Sequence, residues 1–199
     1  MTPEPSVLLT DLYQLSMLDV YRRQGMEQTA VFEFFVRKLP ASRRFLLAAG
    51  LEQLLAYLET LRFTSEDLAW VEASGRFGPG FADYLRDFRF TGDVHAMPEG
   101  TVCFPDEPLV RVTAPLPQAQ LVETRLINII QLQTLLASKA ARFALVAPEA
   151  LLVDFGLRRA HGAEAGLLGA RAVYLAGFSG TATVSANPAF GIPVYGTMA

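Results

Sequence analysis

A helical stretch of about thirty residues divides this sequence into two regions with different hydrophobic patterns. It runs from Ala119 to Pro148, and its leucines and isoleucines recur at spacings that place them on overlapping faces of a helix. Proline cannot continue a helix, so the helix is expected to end near Pro148. We therefore predict that this helix connects two regions of different architecture.

The region before this helix contains helices and short strands. Spacing and capping residues predict a helix from Thr10 to Gly25, and alternation predicts a strand over 31–36. Further helices are predicted over 46–63, 65–74 and 79–88. From residue 90 to 117 the period falls to two and prolines recur, which predicts a small sheet of short antiparallel strands.

After Pro148 the sequence follows a strand–helix–strand pattern. A buried strand is predicted in ALLVDFG, a helix in EAGLLGARAVYLAG and a strand in IPVYGT. Such units place ligands at the carboxyl ends of their strands in α/β barrels and open α/β sheets. The predicted fold class is therefore α/β.

Several function classes are disfavoured by composition. The 17 lysines and arginines are dispersed, so we expect no nucleic-acid partner, and no run of apolar residues is long enough to predict a membrane span. The single Cys103 and the absence of a leader-like N-terminus favour a cytoplasmic protein. Neither of the two histidines lies at ligand spacing from Cys103, so no metal site is predicted.

The segment DFGLRRAHG carries the clearest chemical signal. It brings Asp154, Phe155, Arg158, Arg159 and His161 to the end of a predicted strand, where arginines suit a carboxylate or phosphate and Phe155 offers a flat face. Alternatively, the arginines pair with local acids and Phe155 fills the core. No Ser–His–Asp or Cys–His set accompanies the segment, so no catalytic nucleophile is predicted.

Weaker candidates lie elsewhere in the sequence. Lys139 and Arg142, three residues apart, share one side of the long helix and would suit phosphate, although a solvated face is the simpler interpretation. Gly196, near the end of the last predicted strand, permits close approach of a ligand to the backbone. Tyr13, by its pattern alone, is a core residue of the first helix. The residues by themselves indicate an α/β enzyme fragment that binds a small anion.

Eight segments in order resemble the nicotinate phosphoribosyltransferase family: LLTDLYQLSM, FEFFVRKLP, AAGLEQ, MPEG, QLVETRLINII, SKAAR, DFGLRRAHG and FGIPVYGTMA. This resemblance implies pentosyl transfer in NAD biosynthesis: nicotinate and 5-phosphoribosyl 1-pyrophosphate give nicotinate mononucleotide and pyrophosphate. It also implies Mg²⁺ on the pyrophosphate and ATP hydrolysis that, as in a ligase, drives the equilibrium.

The resemblance also implies an architecture. We expect an N-terminal α+β domain over 1–118, packed on the first part of an irregular, incomplete α/β barrel over 119–199 that begins with the bridging helix. It further implies a homodimer in which the helix carrying Tyr13 reaches the site of the partner subunit.

Site residues follow from the matched motifs. The resemblance implies that Tyr13 and Phe155 stack on opposite faces of the pyridine ring, with Asp11 close by. It implies that Arg158 contacts a substrate anion and that Thr197 lies near the nicotinate carboxylate. Lys139, Arg142, Arg159 and Gly196 are candidate phosphate-binding residues.

Two local features depart from the family. GTATV places Ala182 and Thr183 where a Ser-Asn pair is usual, and SANPAFG places Pro188 where the family has a short helix. The related nicotinamide-specific enzyme has aspartate at the position of Ala182, so alanine there favours the acid over the amide as substrate.

In the family the segment GTMA is followed by the histidine that ATP phosphorylates, whereas this sequence ends at Ala199. We therefore expect the 199-residue chain alone to lack ATP-coupled turnover. Two alternatives stay open: a non-catalytic, truncated partner subunit, and a phosphoribosyltransferase for nicotinamide or quinolinate.

Overall fold

The computed structural model describes residues 6–198. Within that range the chain forms eight α-helices and seven strands. The helices are α1 (Leu12–Gln24), α2 (Leu51–Thr60), α3 (Ser65–Ala73), α4 (Phe81–Arg86), α5 (Leu116–Leu121), α6 (Glu123–Val146), α7 (Ala163–Leu175) and α8 (Ala186–Phe190). The strands are β1 (Thr29–Phe35), β2 (Leu46–Leu47), β3 (Asp93–Ala96), β4 (Val102–Cys103), β5 (Pro108–Pro115), β6 (Val153–Asp154) and β7 (Gly180–Thr181).

Helix α1 confirms the first predicted helix and shows why it begins and ends where it does. Asp11 before it has an extended backbone, and Gly25 after it has a left-handed φ of 63°. Glycine adopts this conformation without the steric cost that a side chain would bring. The helix buries Leu15 and Leu18 and leaves Tyr13 on an exposed face. Helices α3 and α4 confirm the next two short helices in the same way.

The helix predicted over 46–63 begins only at Leu51, so that prediction is wrong for its first residues. Leu46 and Leu47 instead form β2, which pairs antiparallel with β4. The backbone N–H of Leu47 donates to the Ser138 hydroxyl at 2.8 Å, and Gly50 has a φ of 105° that a helix cannot contain. A distant partner and one glycine therefore override the local helical pattern.

The long predicted helix is divided into α5 and α6. Helix α5 begins directly after Pro115 and carries Pro117 in its first turn, where a missing N–H costs no hydrogen bond. Val122 alone separates it from α6, which ends at Val146 and so confirms the predicted end near Pro148.

The strands predicted between residues 90 and 117 do not share one sheet. β3 and β5 belong to a three-stranded sheet of order β1-β5-β3, whereas β4 pairs with β2. Central strand β5 is largely buried, while β1 alternates between exposed and half-buried residues. The sequence showed the strands but could not show their partners, because pairing is set by contacts distant in the chain.

Strands β6 and β7 are parallel and are joined through α7, which confirms the strand–helix–strand pattern. Val153 pairs with Gly180 and Asp154 with Thr181. The strand predicted over 192–197 is reduced to a single parallel bridge between Thr181 and Val194.

Helix α8 contains Pro188, the residue that stands where the family has a short helix. Pro188 is the third residue of the helix, and a backbone N–H in the first turn has no partner within a helix. The ring of Pro188 therefore removes no helical hydrogen bond, and this departure from the family leaves the helix intact.

Small residues allow close packing of α6 against the residues of α7. A buried cluster contains Ala137, Ala140 and Ala141 of α6 with Ala172 and Ala176. A Cβ added at Gly169 would lie 3.2 Å from Leu136 Cδ1, so glycine suits this contact.

Contacts divide the chain into two compact units that interleave along the sequence. The first contains the residues up to Phe34 together with Glu52–His95 and Val110–Asn128; the second contains Phe35–Leu51, Ala96–Leu109 and the residues from Ile129 onward. The predicted boundary between 118 and 119 stays a prediction, and its outer limits, Met1 and Ala199, lie outside the described residues.

The α/β fold class is confirmed by the parallel strands and their connecting helix. None of the helices in residues 6–198 is both long and apolar enough to cross a membrane.

Candidate functional site at the carboxyl end of strand β6

The turn that follows β6 is held by the carboxylate of Asp154. Its Oδ2 accepts from the Thr181 hydroxyl at 2.8 Å and its Oδ1 accepts from the N–H of Gly156 at 2.9 Å. A Cβ at Gly156 would lie only 2.8 Å from that Oδ1. The Asp-Phe-Gly segment is thus a turn that Asp154, the last residue of β6, fixes by its hydrogen bonds to Gly156 and to Thr181 of β7.

This turn places an aromatic ring and two arginines at the strand end. Phe155 is 41% exposed, and Arg158 and Arg159 lie in a 3₁₀ turn (Leu157–Arg159) with exposed side chains. An exposed ring next to exposed guanidinium groups is suited to a flat anion. The alternative that Phe155 fills the core is wrong, because the side chain is exposed.

A cavity of about 470 Å³ adjoins this segment in the second unit. Four of its lining residues bear ionisable side chains: Lys139, Asp154, Arg159 and His161. The others are apolar or small: Leu132, Leu136, Gly156, Ala160, Ala165, Gly166, Gly169 and Val173. An apolar wall with two permanent cations accommodates an organic anion or a phosphate ester.

A second cavity, of about 280 Å³, lies along the end of α6. It is lined by Lys139, Arg142, Phe143 and Val146, so Lys139 lines both cavities. This confirms that Lys139 and Arg142 share one side of the helix, as their spacing predicts. Their role in binding phosphate stays a prediction.

Gly196 and Thr197 line neither cavity among those described. Both residues are exposed. The N–H of Tyr195, just before them, donates to the Thr181 carbonyl at 2.9 Å, which ties the segment to β7. Thr197 therefore lies two residues after a backbone contact with β7. Its contact with a carboxylate stays a prediction.

Tyr13 and Asp11 belong to the first unit, where they lie at the start of α1. The Tyr13 hydroxyl donates to Glu123 Oε2 at 2.8 Å, and Asp11 Oδ2 accepts from the Thr124 hydroxyl at 2.9 Å. Burial and the hydrogen bond to the Glu123 carboxylate both raise the pKa of the Tyr13 phenol. The ring is 45% exposed, so the interpretation of Tyr13 as a core residue is wrong.

Several residues of the site escaped sequence reasoning. Thr181 lies in the GTATV segment, but nothing in the sequence marked it as the anchor of Asp154. Leu132, Leu136 and Val173 line the cavity but have the helical spacing of ordinary core residues. No group of three or more histidine, cysteine, aspartate or glutamate side chains among residues 6–198 could hold a metal ion.

Known proteins similar to this chain agree with one another. The model of the nicotinate phosphoribosyltransferase (NAPRTase) N-terminal domain matches residues 8–131. The chain is 50% identical over 192 residues to nicotinate phosphoribosyltransferase pncB2 of Mycobacterium tuberculosis, covering 96% of this chain and 42% of that protein. It is 46% identical over 193 residues to nicotinate phosphoribosyltransferase of Bacillus subtilis, covering 96% of this chain and 39% of that protein.

Solved structures extend the similarity to the fold. The crystal structure of human nicotinic acid phosphoribosyltransferase matches with a TM-score of 0.88 and 39% identity, over 96% of this chain and 39% of that one. A structure of nicotinate-nucleotide pyrophosphorylase from Pyrococcus furiosus, at 22% identity and a TM-score of 0.77, has a similar fold. The chain spans about two fifths of the length of the curated relatives that it matches.

The match to the N-terminal domain covers more than half of the chain, and the resemblance of the motifs on both sides of α6 agrees with it. This chain therefore belongs to the nicotinate phosphoribosyltransferase family.

Proposed function

We propose that this chain takes part in the transfer of a phosphoribosyl group from 5-phosphoribosyl 1-pyrophosphate to nicotinate. The products are nicotinate mononucleotide and pyrophosphate, and ATP hydrolysis drives the equilibrium. One observation carries the proposal: a member of this family has an apolar cavity with cationic side chains at the carboxyl end of β6. Ligands of α/β folds bind at this end of the strands.

Phe155 and Arg158 bind the pyridine substrate in this proposal. The exposed ring of Phe155 stacks on the flat ring, and Arg158 contacts the carboxylate that distinguishes nicotinate from nicotinamide. Stacking restricts the orientation of the ring nitrogen, which must approach the ribose carbon in line with the leaving pyrophosphate. Thr197 is proposed to lie near the same carboxylate.

Lys139 and Arg159 supply the charge that the phosphates require. As pyrophosphate departs, positive charge develops on the ribose and negative charge on the leaving group. Cations held on the wall of an apolar cavity stabilise that negative charge more strongly than they would in bulk water. Arg142 and Gly196 are proposed as further phosphate contacts.

Magnesium and ATP belong to the proposal only through the family. Mg²⁺ would neutralise charge on the pyrophosphate. Among the described residues the Asp154 carboxylate already accepts from Thr181 and Gly156, and no acidic cluster accompanies it. These residues do not form a protein cation site, so we assign no ligand to Mg²⁺ and no contact to ATP.

A homodimer is proposed in which the α1 helix of each subunit brings Tyr13 and the neighbouring Asp11 to the site of its partner. The exposed face of the α1 region supports this proposal, because Leu9, Leu12, Tyr13, Met17 and Val20 are each at least 37% exposed. A row of exposed apolar side chains is typical of a subunit interface. We also propose a cytoplasmic location, which the free thiol of buried Cys103 supports.

The proposal is tested by ligand binding to Arg158→Ala. Loss of the guanidinium should weaken nicotinate by roughly tenfold and the neutral nicotinamide by much less, because only nicotinate carries the carboxylate. Isothermal titration calorimetry of the 199-residue chain with each pyridine measures both affinities.

Arg62→Ala is the matched control, since Arg62 is also exposed but belongs to the first unit, whereas Arg158 belongs to the second. It should bind nicotinate as the wild type does. Equal losses for nicotinate and nicotinamide in Arg158→Ala would contradict the assigned contact. No binding of nicotinate by the wild type would contradict the proposed function.

A further inference from the structure

The hydroxyl of Tyr13 lies in a closed set of hydrogen bonds. It donates to Glu123 Oε2 at 2.8 Å, and it accepts from Gln14 Nε2, also at 2.8 Å. Gln14 Nε2 lies 2.8 Å from the same Glu123 oxygen. The three side chains therefore form a triangle in which the direction of the phenolic O–H is defined by its partners on both sides.

The partners of Tyr13 are themselves held in place. Gln14 is completely buried, and its Oε1 accepts from Gln120 Nε2 at 2.7 Å. Gln120 is 6% exposed and lies 3.3 Å from the same Glu123 oxygen. Glu123 is the first residue of α6, so the triangle connects the first turn of α1 to the start of a long helix. Neither Gln14 nor Gln120 can move without leaving a buried amide unpaired.

The ring of Tyr13 contrasts with this buried anchor. Tyr13 is 45% exposed, although its hydroxyl has two partners at hydrogen-bond distance, Glu123 and Gln14. An exposed tyrosine usually keeps two free side-chain torsions. Fixing the terminal oxygen restricts both torsions and holds one ring face in a constant orientation.

We infer that Gln14 and Glu123 are positioning residues that hold the Tyr13 ring as a preformed stacking face for the planar pyridine substrate. This inference rests on the proposed function. A face that is already fixed loses little conformational entropy on binding, so it binds a flat ligand more tightly than a mobile ring would. The carboxylate also makes the phenol ring more electron-rich, which favours the pyridinium that forms as the ring nitrogen is alkylated.

The charged groups around the phenol agree with this arrangement. Burial, the hydrogen bond to Glu123 and the negative charges of Glu123 and Asp11 raise the pKa of Tyr13, and they outweigh the opposite effect of a hydrogen bond with Thr124. Tyr13 therefore keeps its proton, and its ability to donate to Glu123, throughout the neutral range.

Two variants separate the anchor from the ring. Tyr13→Phe keeps the ring and removes the hydroxyl, while Glu123→Gln keeps the shape of the partner and removes its charge. Each should weaken nicotinate binding by about tenfold in calorimetry, because the ring is released but not lost. Glu33→Gln is the matched control: Glu33 is in the same unit, but its carboxylate pairs with Arg111 at 2.6 Å.

A spectroscopic measurement reports on the anchor without any ligand. In protein labelled with ¹³Cζ-tyrosine, the resonance absent from Tyr13→Phe identifies Tyr13, and its chemical shift follows ionisation. The midpoint should fall towards the ordinary value of 10.0 in Glu123→Gln and stay at the wild-type value in Glu33→Gln. A merely structural role for Glu123 in attaching α1 would change the melting temperature instead.

The Tyr13 titration midpoint and the nicotinate affinity test different parts of this inference. An unchanged Tyr13 midpoint in Glu123→Gln overturns the anchor. A shifted midpoint with wild-type affinity for nicotinate in both variants overturns the positioning role and leaves the proposed function intact. Absence of nicotinate binding by the wild type refutes the proposed function and, with it, the pyridine as the ligand of the Tyr13 face.

Discussion

The Glu99 side chain lines neither of the two cavities, but it connects the start of α2 to α7. Its Oε1 accepts from the N–H groups of Gly50 and Leu51 at 2.5 and 3.1 Å, and its carboxylate forms a bidentate pair with Arg171 at 2.8 and 2.7 Å. The Arg171 side chain is 9% exposed and that of Glu99 16%. Glu99 thus satisfies donors at the start of α2 and a nearly buried guanidinium on α7.

This arrangement predicts a pH-dependent loss of stability. Burial by itself raises the pKa of Glu99, but the hydrogen bonds from Arg171, Gly50 and Leu51 outweigh it and hold the pKa below the ordinary value of 4.5. The folded state therefore binds the Glu99 proton less readily than the unfolded state does. The stabilisation is complete above about pH 4.5 and is lost as the pH falls through the lower, folded-state pKa.

Glu99→Gln should reduce the free energy of unfolding by about 3 kcal/mol at neutral pH, since it removes the carboxylate charge of a nearly buried ion pair with Arg171. Urea denaturation at several pH values measures this, and the variant should lose less stability than the wild type on acidification. Asp83→Asn is the control, because the Asp83–Arg86 pair is exposed and should contribute below about 1 kcal/mol. Equal losses in both variants would contradict the role of Glu99.

At the scale of elements, the site depends on three short parallel segments rather than on long strands. β6 and β7 contribute two residue pairs, and Val194 adds one bridge to Thr181. The N–H of Thr181 donates to the Pro193 carbonyl at 3.1 Å, and that of Ala182 to the Asp154 carbonyl at 2.8 Å. Such a small sheet keeps its geometry only if the backbones approach closely.

Gly180 makes that close approach possible. A Cβ there would overlap the backbone carbonyl of Pro193 and would lie 2.7 Å from the Tyr195 ring. Gly180→Ala should therefore separate β7 from the Val194 segment and reduce the free energy of unfolding by about 1–3 kcal/mol. Denaturant unfolding measures the loss.

Gly196→Ala is the matched control in the same segment, because a Cβ at Gly196 would meet no atom within 4 Å. It should unfold at the wild-type denaturant concentration. If Gly180→Ala were as stable as Gly196→Ala, the contact between β7 and the 193–195 segment would not matter for stability.

At the scale of the whole molecule, the proposed homodimer gives the exposed α1 face a partner. Met17→Glu places a charge among the exposed apolar side chains of α1 and should raise the dimer dissociation constant by about 100-fold. Analytical ultracentrifugation across a range of concentrations measures the change. Met17 is 37% exposed and is not among the buried residues of α1, so the added charge can reach solvent.

Leu55→Glu is the control for that prediction, since Leu55 is an equally exposed apolar residue (39%) on α2. It should dimerise as the wild type does. A wild-type chain that is monomeric at all concentrations would contradict the proposed homodimer, and equal effects of the two substitutions would contradict the choice of α1 as its interface.

Local signals determined much of the fold. The stop at Gly25, the end of α6 before Pro148 and the strand–helix–strand order after it could be inferred from residue types and spacing. The motif DFGLRRAHG could likewise be placed at the end of a strand, beside a cavity with cationic walls. These features depend on backbone preferences and on hydrophobic periodicity, both of which are properties of neighbouring residues.

Other features depended on the tertiary structure. The short strand at Leu46, inside a helical pattern, exists because its partner Cys103 and the Ser138 hydroxyl are supplied from distant segments. The Tyr13 hydroxyl donates to Glu123, which lies 110 residues further along the sequence. The sequence by itself determined the family, the fold class and most helix ends, because these follow from short-range chemistry. Only the tertiary structure decided which strands pair and which polar groups meet, because those choices depend on contacts that no local pattern contains.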